Sequence, residues 1–152
     1  VMLTPMYDQI LIPYDGSDES KKGAEHGIQL AAALDASVTA LYVIDLPGAP
    51  RALALRDDEE EMREQYREYG EEILDEICSV AGEHGVDCST AMRTGSPAEE
   101  ITDFADTEGM DAIVIGSAYR GKLGMILGGK ADRVVRTSRV PVITQRMRME
   151  EV

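Results

Sequence analysis

Apolar residues follow two alternating periods along this chain. Short runs rich in aliphatic residues are typical of buried parallel strands, whereas apolar positions three or four residues apart indicate amphipathic helices. The runs predict five strands, at Ile10–Pro13, Val38–Ile44, Val86–Met92, Asp111–Gly116 and Val140–Thr144. The helical spacing predicts four helices, at Asp18–Leu34, Asp57–Glu83, Pro97–Thr107 and Gly128–Ser138. Strand and helix therefore alternate, apart from an irregular connection at Leu46–Arg56.

This alternation predicts one α/β domain over residues 6–146, because right-handed crossovers place helices on both faces of a parallel sheet. We expect a doubly wound, three-layer sandwich with strand order 3-2-1-4-5. Residues 1–5 precede the first periodic signal and residues 147–152 form a tail, so neither segment is counted in the fold.

The predicted strand order also locates a binding site. In doubly wound sheets, ligands bind outside the carboxyl ends of the strands, where the direction of winding reverses. That point lies between the first and fourth strands, so Pro13, Asp15 and Gly116 are predicted to face one crevice. Asp15 lies shortly before a helix, and it is predicted either to contact a ligand or a metal, or to cap that helix.

A glycine-rich segment follows the fourth strand. It reads GSAYRGKLGMILGGK from Gly116 to Lys130 and contains five glycines. Glycine lets the backbone approach a phosphate, and the free amides at the start of the next helix favour an anion. The segment matches neither the Rossmann nor the Walker A pattern. It predicts a phosphate pocket, with a plain flexible connection as the alternative.

Charge narrows the choice of partner. The formal net charge of −14 argues against nucleic acid, since binding there depends on Lys and Arg displacing counterions from phosphates. Residues 112–149 nevertheless hold eight basic side chains and one acid, Asp132, which favours an anionic ligand or acidic partner there, or else only a solvated face. Four lysines against eleven arginines in so acidic a chain suggest a salt-loving source.

Cysteine usage and hydropathy give three further expectations. Cys78 and Cys88 lack a CxxC spacing and a histidine cluster, so we expect neither a disulfide nor zinc, and both are predicted to be small buried side chains. No run of about 18 apolar residues would cross a bilayer. The start of the sequence, Val1 to Gln9, lacks the pattern of a signal peptide, and we expect a cytoplasmic protein.

Four segments together resemble the universal stress protein family from Met6 to Thr144: QILIPYDGSDES, ALYVID, TGSPAEEITDFA, and DAIVIGSAYRGKLGMILGGKADRVVRTSRVPVIT. The resemblance implies an adenine nucleotide alpha hydrolase-like fold. It also implies a stress-response regulatory protein that binds ATP or AMP, with Mg²⁺ accompanying ATP near Asp15. By the same resemblance, the nucleotide would contact Pro13, Asp15, Val43, Ile115, Gly116, Gly128, Gly129 and Lys130.

The chain departs from the nucleotide-binding motif of that family, G-x2-G-x9-G-[S/T]. Gly128 follows Gly116 by twelve positions instead of thirteen, and Tyr119 takes the place of the second glycine unless Gly121 fills that role. Gly129 replaces the terminal hydroxyl residue. Tyr119 would block the β-phosphate position and favour AMP or no nucleotide. The alternative function is therefore a nucleotide-free dimeric interaction protein.

The sequence also gives expectations about catalysis and about assembly into oligomers. Ser17 and Ser117 lack a His–Asp partner spacing, and no base or arginine finger is identifiable, so we expect no enzyme, or at most a slow ATPase. The fifth strand, Val140–Thr144, is an apolar edge that would pair with a second copy in a homodimer. The family resemblance also implies a partner protein that responds to nucleotide occupancy.

Overall fold

The computed structural model describes residues 6–45, 56–118 and 129–147. The described chain alternates strands and helices, as the hydrophobic pattern predicts. The strands are β1 (Gln9–Pro13), β2 (Ser37–Ile44), β3 (Cys88–Thr94), β4 (Ala112–Ser117) and β5 (Val142–Arg146). The helices are α1 (Asp18–Leu34), α2 (Arg56–Glu83), α3 (Pro97–Thr107) and α4 (Lys130–Thr137).

All five strands form one parallel sheet in the order β3-β2-β1-β4-β5, which confirms the predicted doubly wound topology. The register shows where the sheet opens. β1 pairs with β2 along its whole length, but it pairs with β4 only at Ile10 and Leu11. β4 continues to Ser117 beside β5. The carboxyl ends of β1 and β4 therefore part, and this is the point where winding reverses.

Two apolar cores cover the two faces of the sheet. One unites the side chains of Ile10, Ile12 and Val114 with α1 and α2, and the other unites Leu11 and Ile113 with α3 and α4. All five of these side chains are almost completely buried. Burial of an aliphatic side chain contributes about 1.5–3 kcal/mol, so the alternation along β1 and β4 holds helices on both sides.

The helix bounds agree closely with the predicted ones, whereas β3 and β5 each begin and end two residues later than predicted. β3 begins at Cys88, because Val86 still donates its N–H to the Ala81 carbonyl in the turn that closes α2. β5 begins at Val142, because the Ser138 side chain binds both the N–H and the carbonyl of Val140 in a turn. The predicted starts at Val86 and Val140 are therefore corrected.

Two predicted segments fall partly outside the described residues. Residues 46–55 of the irregular connection are not described, and Arg56, its predicted last residue, is the first residue of α2. The predicted start of the last helix at Gly128 is likewise not described, and that helix runs from Lys130 to Thr137.

The expectation for the cysteines was wrong. Cys78 and Cys88 form a disulfide with their Cα atoms 5.3 Å apart, and both side chains are half-buried instead of buried. Gly85, at a φ of 72°, reverses the chain between α2 and β3 and brings the two residues side by side. Their spacing of ten residues does not reveal this reversal, which is a tertiary feature of the α2–β3 connection.

Candidate functional site

A cleft of about 590 Å³ opens at the carboxyl ends of β1 and β2, beside the first turns of α3 and α4. It lies at the carboxyl edge of the sheet, but its lining among the described residues includes none from β4, which the predicted position between β1 and β4 would require. The lining consists of Pro13, Tyr14, Asp15, Glu19, Leu41, Tyr42, Val43, Asp45, Tyr66, Ser96, Pro97, Ala98, Ile101, Gly129, Lys130 and Arg133. Apolar and aromatic walls thus meet a small set of charged groups, which is typical of a small-molecule site.

Asp15 is held rigidly between β1 and α1. Its Oδ1 atom accepts a hydrogen bond of 2.9 Å from the Ser17 N–H. Ser17 is itself the N-cap of α1, where its hydroxyl oxygen accepts from the Ser20 N–H at 3.2 Å. The Asp15 carbonyl accepts a 2.8 Å hydrogen bond from the Tyr69 hydroxyl. The predicted capping role belongs to Ser17, which leaves the second carboxylate oxygen of Asp15 free to face the cleft.

That second oxygen meets Lys130. The Nζ atom of Lys130 lies 3.4 Å from Asp15 Oδ2, and the two residues are 115 positions apart in the chain. Burial alone would raise the pKa of the Asp15 carboxyl, but Lys130 and the hydrogen bonds from Ser17 and Ser20 outweigh it and lower the pKa to about 2. The carboxylate is therefore ionised at every physiological pH.

Tyrosines form the aromatic wall of the cleft. Tyr42 packs edge-on against Tyr69 with ring centroids 5.8 Å apart. Burial, with the negative field of Glu76 and neighbouring groups, raises the pKa of Tyr14 to about 12. Burial, together with Tyr69 and Tyr66, also raises the pKa of Tyr42. Tyr14 and Tyr42 thus stay protonated at neutral pH and offer a hydroxyl donor beside an apolar ring.

Five of the predicted site residues come together here: Pro13, Asp15, Val43, Gly129 and Lys130 all line the cleft. Ile115 and Gly116 do not. Ile115 is 2% exposed and packs in the core under α3 and α4. Gly121 and Gly128, with Tyr119, lie outside the described residues.

Gly116 has a packing role that the sequence does not show. A Cβ atom at this position would overlap the carbonyl oxygen of Glu19, in the first turn of α1. On the facing side, a Cβ atom added at Gly23 would lie 2.9 Å from the Gly116 Cα. The two glycines therefore let the backbones of α1 and β4 touch, which positions the start of α1 beside the cleft.

Sequence reasoning missed all of the aromatic and α3 residues of the lining, and four polar or charged ones besides. Asp45 and Ser96 follow the ends of β2 and β3, so the rule that ligands bind at carboxyl ends was the available signal for both. Tyr66 sits in the middle of the α2 helical pattern and Arg133 one turn into α4. Helical periodicity alone does not distinguish a cleft residue from a surface residue, so these two had no signal.

The described residues contain no group of three or more His, Cys, Asp and Glu side chains that would hold a metal ion. Asp15 offers a single carboxylate, which already pairs with Lys130. A Mg²⁺ ion here would take most of its ligands from phosphate oxygens and water, as it commonly does. None of the helices within the described ranges is long and apolar enough to cross a membrane.

Comparison with known proteins places this geometry in a family. The family model described as "Universal stress protein family" matches residues 6–146. A universal stress protein of Methanocaldococcus jannaschii is 38% identical over 141 residues, covering 91% of this chain and 81% of that protein.

Solved structures agree with the sequence match. A universal stress protein family member from Burkholderia pseudomallei superposes with a TM-score of 0.76 at 25% identity, over 94% of this chain and 98% of that one. A family protein from Arabidopsis thaliana, solved with AMP bound, has a TM-score of 0.72 at 21% identity, over 95% of this chain and 94% of that one. The latter likeness shows the shared fold. With the family model matching nearly its whole length, the chain belongs to the universal stress protein family.

Proposed function

We propose that this protein binds an adenine nucleotide, ATP or AMP, in the cleft at the carboxyl ends of β1 and β2, and acts as a cytoplasmic stress-response regulator. The observation that carries the proposal is the convergence of Pro13, Asp15, Val43, Gly129 and Lys130 on one cleft. These residues come from three separate parts of the chain. The AMP bound to the Arabidopsis protein of the same fold supports an adenine nucleotide as the ligand class.

The cleft has a suitable surface for each part of such a ligand. Pro13, Val43 and the Tyr42 ring offer an apolar and aromatic wall for the base. Two helices begin at the cleft, and the N-cap residues Ser96 and Gly129 make no side-chain hydrogen bond to the first turns of α3 and α4. The first-turn amides and the positive ends of the two helix dipoles favour phosphate oxygens.

Two ionisable groups of the cleft, Asp15 and Tyr14, are poorly suited to proton transfer, which supports a binding role over catalysis. A general base works best with a pKa near the operating pH. The Asp15 pKa of about 2 and the Tyr14 pKa of about 12 lie far from neutrality on opposite sides. Any hydrolysis of ATP would therefore be slow. Nucleotide occupancy, and not turnover, would be the signal that an unidentified partner protein reads.

Titration calorimetry with ATP, ADP and AMP tests the proposal, and we expect saturable binding in the micromolar range. Val43→Arg places a long charged side chain in the cleft, and we expect it to weaken binding by about ten-fold or more through steric exclusion. Thr90→Arg is the matched control, since Thr90 is exposed on the neighbouring strand β3 and does not line the cleft.

Binding that is absent at millimolar nucleotide would refute this function. It would favour the second candidate, a nucleotide-free interaction protein. Equal weakening by Val43→Arg and Thr90→Arg would instead move the binding site away from this cleft.

We extend the proposal to a homodimer that pairs through β5. This strand is the last in the described sheet and leaves its outer backbone groups without a strand neighbour among the described residues. Such an edge pairs readily with a second copy. Light scattering at micromolar concentration should give twice the mass of one chain, and Thr144→Lys, at an exposed position of β5, should give the monomer. A monomeric mass for the unaltered protein would refute the dimer.

A further inference from the structure

The ion pair between Asp15 and Lys130 spans the point where the sheet opens. Asp15 lies just after β1, and Lys130 is the first residue of α4, the helix that follows β4 in the chain. Their charged atoms are 3.4 Å apart, and both residues line the cleft. A phosphate that approaches the first turn of α4 therefore meets a lysine that is already engaged with a carboxylate.

The two partners differ in freedom. The hydrogen bond from Ser17 to Oδ1 and the bond from Tyr69 to the Asp15 carbonyl fix the carboxylate in place. Lys130 carries its ammonium on a flexible four-carbon stem, and its side chain is 37% exposed. Lys130 is thus able to turn toward a ligand, while Asp15 is unable to follow it.

Arg133, one turn further along α4, repeats this arrangement. Arg133 lines the same cleft, and its guanidinium lies 3.9 Å from the carboxylate of Glu99 in α3, which is not among the residues that line the cleft. Each cation that α4 presents to the cleft is therefore paired with an acid in the structure. A neutral ligand leaves these pairs undisturbed, whereas an anionic ligand has to share or displace them.

Resting on the nucleotide function proposed above, we propose that Asp15 is a specificity-determining residue that competes with the ligand phosphate for Lys130. In the empty cleft Asp15 neutralises Lys130. A nucleoside binds without breaking the pair, and a nucleoside phosphate binds at the expense of it. Asp15 thereby reduces the advantage that AMP has over adenosine, and Lys130 supplies that advantage.

The test compares dissociation constants for adenosine and AMP, by calorimetry, in the unaltered protein, Asp15→Asn, Lys130→Met and the double variant. Lys130→Met should reduce the preference for AMP by about ten-fold or more, ten-fold being the lower end of the range for a hydrogen bond to a charged group. Asp15→Asn should raise the preference by about three-fold or more, since Lys130 is released. In the Lys130→Met background, Asp15→Asn should raise the preference by less than it does in the unaltered background, because only the direct repulsion between the Asp15 carboxylate and the phosphate remains.

Two controls separate this effect from general changes. Arg136→Met removes one positive charge from the same helix at an exposed position outside the cleft, and it should change the preference by less than about two-fold at physiological salt. Asparagine keeps an oxygen for the Ser17 N–H, and circular dichroism checks that the variants fold. In the unaltered chain, the ¹⁵Nζ resonance of Lys130 should shift on adding AMP and stay in place on adding adenosine.

The outcomes distinguish the two levels of the proposal. If the unaltered protein binds neither adenosine nor AMP at millimolar concentration, the nucleotide function fails and this inference fails with it. If both ligands bind and Asp15→Asn leaves their ratio unchanged, or if the Lys130 resonance responds equally to both, the nucleotide function stands and the competition is refuted.

Discussion

Replacing Gly116 with alanine is expected to lower the free energy of unfolding by about 3 kcal/mol or more, at the upper end of the cost of overpacking. The added Cβ would overlap the Glu19 carbonyl oxygen and lie 3.1 Å from the Ser20 amide nitrogen. Both are backbone atoms, so no side-chain rotation relieves the clash. α1 would have to move away from β4, and the Ser17 cap and Asp15 would move with it. Urea unfolding followed by circular dichroism measures the effect.

Gly82→Ala is the matched control for this prediction. Gly82 lies in the last turn of α2, and a Cβ atom there would meet nothing within 4 Å. Alanine is the better helix former by about 1 kcal/mol, so this variant should be as stable as the unaltered protein or more stable. Equal stability of the two variants would show that α1 and β4 do not approach this closely in solution.

Breaking the Cys78–Cys88 bond is expected to cost about 2–3 kcal/mol of stability, because closing a loop of this length restricts the unfolded chain by about that amount. Cys78→Ser/Cys88→Ser and reduction with dithiothreitol should destabilise the protein to a similar extent. The double variant should not respond to dithiothreitol, which makes it the control for other effects of the reductant. The measurement is thermal or urea unfolding with and without reductant.

Two outcomes would contradict the prediction. Free thiols in the purified, unreduced protein would show that the bond does not form, and unchanged unfolding after verified reduction would show that it does not stabilise the fold. Disulfides are rare in reducing cytosol, with hyperthermophiles as the exception. The protein can be expressed in the cytosol of a mesophilic host and isolated under conditions that block free thiols. An intact Cys78–Cys88 bond in that sample would show that the bond resists reduction by the cellular thiols.

The secondary structure follows from local chemistry to a large extent. The bounds of α1 and α3 match their predictions because each has a local start signal, Ser17 as N-cap in one and Pro97 at the first turn in the other. β3 and β5 were placed two residues too early. Their starts depend on the turns at Val86 and Val140, and hydrogen bonds in those turns are not visible in a hydrophobic pattern.

Topology and family resemblance each predicted part of the cleft lining. Once the order 3-2-1-4-5 is inferred, Pro13 and Asp15 follow from the rule that ligands bind at the carboxyl ends of strands. The family resemblance implies Val43, Gly129 and Lys130, and these three residues line the same cleft. Tyr66 and Arg133 reach the cleft because of how α2 and α4 are rotated on the sheet. That rotation results from packing, and the helical period fixes it only up to the choice of a buried face.

By itself, the sequence determined the number and order of the elements, the parallel sheet with its reversal between β1 and β4, and the family, since these rest on periodicity and on motifs read along the chain. Only the tertiary structure decided which distant residues meet. The pairing of Asp15 with Lys130, the contact of Gly116 with Glu19 and the Cys78–Cys88 bond each join residues from different elements. The physical reason is that a side chain's neighbours across a fold depend on how helices and strands pack, and local sequence preferences do not specify that packing.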